Sequence, residues 1–65
     1  MSRKEEIISN SIREYKIAKA SRNKKEILQT VNMMHNVYIM CAPFNVKGIE
    51  KLRQLILEAD ASLQA

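Results

Sequence analysis

With 65 residues, eleven basic and seven acidic side chains, a net charge of +4 and a pI near 9.5, the chain reads as one small basic domain over 1–65. One Cys and one His exclude an intrachain disulfide and a zinc site made from protein ligands alone, so no metal and no cofactor is expected. A domain of this size hides only about 60% of the surface its unfolded chain exposes. With disulfide and metal set aside, self-association is the expected source of extra stability.

The chain opens on Arg3, Lys4, Glu5 and Glu6 before only Ile7 and Ile8, which predicts no signal peptide. Ser2 with Glu5 three residues on has the form of a capping box, so a first helix should start there. Its inner face would be Ile7 or Ile8 with Ser11, Ile12, Tyr15 and Ala18, and Arg3, Glu6, Asn10, Arg13 and Glu14 would face water. Glu5 and Glu6 at the start and Lys16, Lys19 and Arg22 at the end match the helix dipole and argue for a stop near Ser21 or Arg22. Ile17 falls off the inner stripe.

Asn23 with Glu26 repeats the capping pattern and should open a second helix. Residues 27–46, ILQTVNMMHNVYIMCAPFNV, contain no Asp, Glu, Lys or Arg. On a helix, Gln29, Asn32 and Asn36 occupy one narrow sector and nearly everything else is apolar. Ile27, Val31, Met34, Tyr38 and Cys41 form the central stripe; Leu28, His35 and Ile39 flank it on one side, Met33, Val37 and Met40 on the other. Gln29, three Asn residues, His35 and Pro43 argue against a membrane span. Pro43 should end this helix, and the unpaired Cys41 suits a reducing, cytoplasmic compartment.

Asn45 is a plausible cap for a third helix, with Phe44 and Ile49 spaced for a hydrophobic staple. That helix has an apolar face of Ile49, Leu52, Leu55, Ile56, Ala59 and Leu63, with Leu57 off it. Gly48 would cost about 1 kcal/mol inside its first turn. The pattern therefore predicts an all-α three-helix bundle with helices at about 3–21, 24–41 and 46–63. The alternative is a long-and-short helical hairpin in which the first two helices are one.

Little in the sequence points to catalysis. His35 and Cys41, six residues apart on one helix, point about 120° from each other and cannot share a hydrogen bond. The seven carboxylates fall on solvent faces or caps, and a single glycine leaves no phosphate-cradling loop. No enzymatic activity is expected. The second helix carries more apolar surface than two neighbours should cover. Burying about 300–400 Å² of its flank per subunit would contribute up to about 8–10 kcal/mol before association costs. The expected function is a homodimeric adaptor or inhibitor that binds another protein through Met33, Val37 and Met40, with Leu28, His35 and Ile39 as the second set. The alternative is a nucleic-acid-binding regulator using Arg13, Lys16, Lys19, Arg22, Lys24 and Lys25 near the first turn, since eight of the eleven basic residues precede Glu26.

Overall fold

The computed structural model describes residues 2–64. Three helices, α1 (Arg3–Ser21), α2 (Lys24–Cys41) and α3 (Ile49–Gln64), pack as a small all-α bundle, with a short 3-10 turn, Ala42–Phe44, between the last two. The first two helices have the bounds that the caps predict. Ser2 Oγ accepts from the Glu5 amide at 3.2 Å, and Asn23 Oδ1 accepts from the Lys25 and Glu26 amides at 3.1 and 3.3 Å.

The break between α1 and α2 excludes the continuous-helix alternative. Arg22 takes the left-handed conformation (φ 60°, ψ 19°) and donates its amide to the Lys19 carbonyl, which turns the chain back on itself. Around it the Asn23 amide donates to Ser21 Oγ at 3.3 Å, and the Ser21 hydroxyl lies 2.7 Å from the Ala18 carbonyl and 3.2 Å from the Glu26 carboxylate. Glu26 thus reaches the turn through Ser21, on the far side of the break.

The third helix starts later than the sequence suggests. Asn45 does not cap it; it sits in the left-handed region (φ 51°) and closes the 3-10 turn. Gly48 precedes α3 at φ +93°, a conformation only glycine adopts without strain, and its carbonyl accepts from Leu52 at 3.1 Å. The glycine expected to weaken a first turn is instead what lets the helix begin at Ile49. Phe44 forms no staple: it is 63% exposed, with Lys4 Nζ 4.6 Å from its ring centroid.

One core joins the three helices. Ile8, Ile12, Tyr15 and Ala18 of α1, Val31, Met34, Val37 and Cys41 of α2, and Leu52, Ile56 and Ala59 of α3 are buried. Ser11, the one buried polar residue among those described, donates to the Ile8 carbonyl at 2.8 Å, so it faces the core with its hydrogen bond made. α2 lies against both neighbours, most extensively against α1, whereas α1 and α3 meet over a small area.

The turn makes opposite demands on neighbouring residues. Asn23→Ala should cost about 1 kcal/mol, because two α2 amides lose their acceptor. Arg22→Gly should instead add about 0.5 kcal/mol, the relief of left-handed strain less the entropy glycine forfeits. Thermal melts by circular dichroism should move in opposite directions for the two variants.

Candidate functional site

The outward face of α2 is the surface where the expected partner-binding residues have to be judged. Relative to the predicted stripe, the buried arc of α2 is rotated toward the Met33 and Val37 flank. Thr30 shares a crevice with Glu14 and Ala18 of α1 and stands on the same flank as Met33 and Val37. α1 therefore covers that flank. Val37 is 6% exposed and belongs to the core, and Met33 is half-buried against it. The expectation that Val37 lines an outer docking surface is corrected. Met40 keeps 49% of its surface exposed, at the end where α1 runs out.

The other flank is covered less. His35 Nε2 lies 3.2 Å from Asp60 of α3, and this contact marks the side of α2 that faces α3. Both side chains remain substantially exposed, at 44% and 40%, so the pair is a wet clasp worth under about 1 kcal/mol. Ile39, one turn beyond His35, is 71% exposed, and Leu28 is 43% exposed. Leu57, one turn before Asp60 on the antiparallel α3, is 56% exposed and lies toward the same end of the bundle as Ile39.

Between these apolar residues the outer face of α2 carries exposed Gln29, Asn32 and Asn36. From Leu28 to Met40 it holds no charged side chain, on a chain in which 28% of residues are charged. Cys41 is fully buried, so it does not lie on this face and cannot meet a twin across it. Among the described residues no three His, Cys, Asp or Glu side chains gather as a metal site would require.

The basic residues separate into two groups. Lys19, Arg22, Lys24 and Lys25 are exposed around the α1–α2 turn, whereas Arg13 and Lys16 border an open groove beside α1 together with Lys47 and Lys51 from the start of α3. Lys47 and Lys51 lie far in sequence from the predicted basic cluster of Arg13 to Lys25, and no local spacing links them to it. They join Arg13 and Lys16 only because α3 folds back along α1. No helix among the described residues is long and apolar enough to cross a membrane. Comparison with protein families, curated proteins and solved structures finds no match to this chain.

Removing the clasp should leave the bundle standing. His35→Ala is expected to lower the melting temperature by no more than about 8 °C, the shift that about 1 kcal/mol produces in a domain of this size. A loss of helical signal at room temperature would show that the pair carries more than its exposure allows.

Proposed function

We propose that the protein is a non-catalytic helical interaction module that pairs with a second copy through the outer face of α2 and serves as an adaptor or inhibitor for another protein. The observation that carries this reading is the uncharged surface spanning Leu28, Asn32, Asn36, Ile39 and Met40, with Ile39 71% exposed. Interface centres are depleted of charge and enriched in Met, and this face carries no charge and an exposed Met40. A second copy is the occupant best suited to it, because two chains of net charge +4 can approach closely only where each presents no cations.

Asn and Gln side chains at the middle of the face can hydrogen-bond across a two-fold axis, which would set the register of the pair. His35 lies at its margin, held by Asp60, and Met33 and Val37 support it from behind as packing. A reducing, cytosol-like compartment suits the single buried thiol of Cys41.

Sedimentation of the purified chain is the test. The parent should form dimers at micromolar concentration, and Ile39→Asp combined with Met40→Asp should give monomers with unchanged circular dichroism. Val37→Asp should unfold the chain, since it places a carboxylate in the core. A parent that stays monomeric at every concentration overturns the pairing.

A further inference from the structure

We propose that the groove between α1 and the start of α3 is a docking site for an acidic amphipathic helix of a partner protein. The groove is about 690 Å³ in volume, open to solvent along its outer side, and formed without any residue of α2. It is therefore a different face from the one proposed for self-pairing. It rests on the reading of the chain as an interaction module, and not on the pairing itself.

Its floor is apolar. Ile8 and Ile12, buried in the core, close its base, and the accessible apolar surface comes from Ala20 and the 57% exposed Ile17 toward the end of α1. The gap exists because α1 and α3 meet over little area, with Gly48 near Ile8 at one end. A side chain added at Gly48 would sit 3.5 Å from Ile8 Cγ2.

The lining is strongly cationic. Arg13 and Lys16 contribute from α1, Lys47 from the turn before α3 and Lys51 from its first turn, against one carboxylate, Glu5. The ion pairs formed among the described residues, His35 with Asp60 and Arg53 with Glu50, involve none of these four cations. An apolar floor with unneutralised cations calls for an occupant that has a greasy stripe and carboxylates beside it.

Length and shape specify which such occupant. Glu5 and Ala20, the lining residues farthest apart on α1, are separated by about 22 Å of helix, or about four turns. A helix laid there would run along α1, burying its apolar stripe on Ile17, Ala20 and the edges of Ile8 and Ile12, with the start of α3 beside one end. An acyl chain in so open a trough would stay largely wet, and a nucleic acid would find cations but no aromatic side chain to stack on. A second copy is disfavoured by its own excess of positive charge.

The test uses the full chain and a synthetic helical peptide of about four turns, with Leu along one stripe and Glu on both flanks, beside a counterpart with Lys in place of every Glu. Calorimetry should show the acidic peptide binding at least about tenfold more tightly than the basic one, with affinity falling as salt rises. The double change Lys47→Glu and Lys51→Glu, at exposed sites, should weaken the acidic peptide at least about tenfold, and Ile17→Asp should weaken it as well. Amide shift changes in the nuclear magnetic resonance spectrum should fall on residues 9–20 and 47–51. The Ile39→Asp, Met40→Asp variant should bind the peptide as the parent does, so a failed pairing and a failed groove give different results. Equal binding of the two peptides, no binding of either, or shift changes confined to the outer face of α2 would overturn the proposal. Anionic vesicles or duplex DNA that bind more tightly than the acidic peptide, and lose that binding in the Lys47→Glu, Lys51→Glu variant, would overturn it in favour of a lipid or nucleic-acid ligand.

Discussion

The fold depends on how much of α2 its two neighbours can shelter. Buried or half-buried positions on α2, from Met33 through Met34 to His35, span about 200° of its circumference, roughly twice the stripe a surface helix hides. That arc requires a helix on each side. α1 supplies one wall and α3 the other, which makes α2 the shared partner and leaves α1 and α3 with little reason to touch. Both proposed surfaces follow from this arrangement: the uncovered outer face of α2, and the trough left where α1 and α3 stay apart.

The connections enforce it. A two-residue turn at Arg22 and Asn23, tied by Ser21 and Glu26, brings α2 back antiparallel to α1 and sets Met33 and Val37 against α1. The longer link through Ala42–Phe44 and Gly48 places α3 less closely, so the flank it covers stays wetter. His35 and Asp60 meet there in an exposed pair, and Leu28, Ile39 and Leu57 are left in solvent. Core side chains on the covered side carry the stability; those on the thin side stay exposed.

The two proposed surfaces use different physics. From Leu28 to Met40 the outer face of α2 has no charge and suits a like copy, while the trough gathers four cations over aliphatic side chains and suits an unlike, acidic partner. Because the surfaces share no residue, a pair formed through α2 would carry two troughs pointing outward. Bivalence of that kind raises the apparent affinity for a partner that presents two helices, without any new contact.

Local signals in the sequence determined the class of the fold, the limits of α1 and α2, and most of the core. Helix caps and 3.6-residue periodicity are properties of neighbouring residues, and Ser2, Asn23 and the inner stripe of α1 act in the structure as their spacing implies. The start of α3 was hidden, because Asn45 suits a cap and a left-handed turn equally well, and in the structure it takes the second and closes the 3-10 turn. Tertiary structure alone decided which flank of α2 is covered and that Lys47 and Lys51 lie beside Arg13 and Lys16. Periodicity ranks positions around one helix but carries no term for the neighbour, so burying Val37 while leaving Ile39 in water required α1 and α3 to be in place.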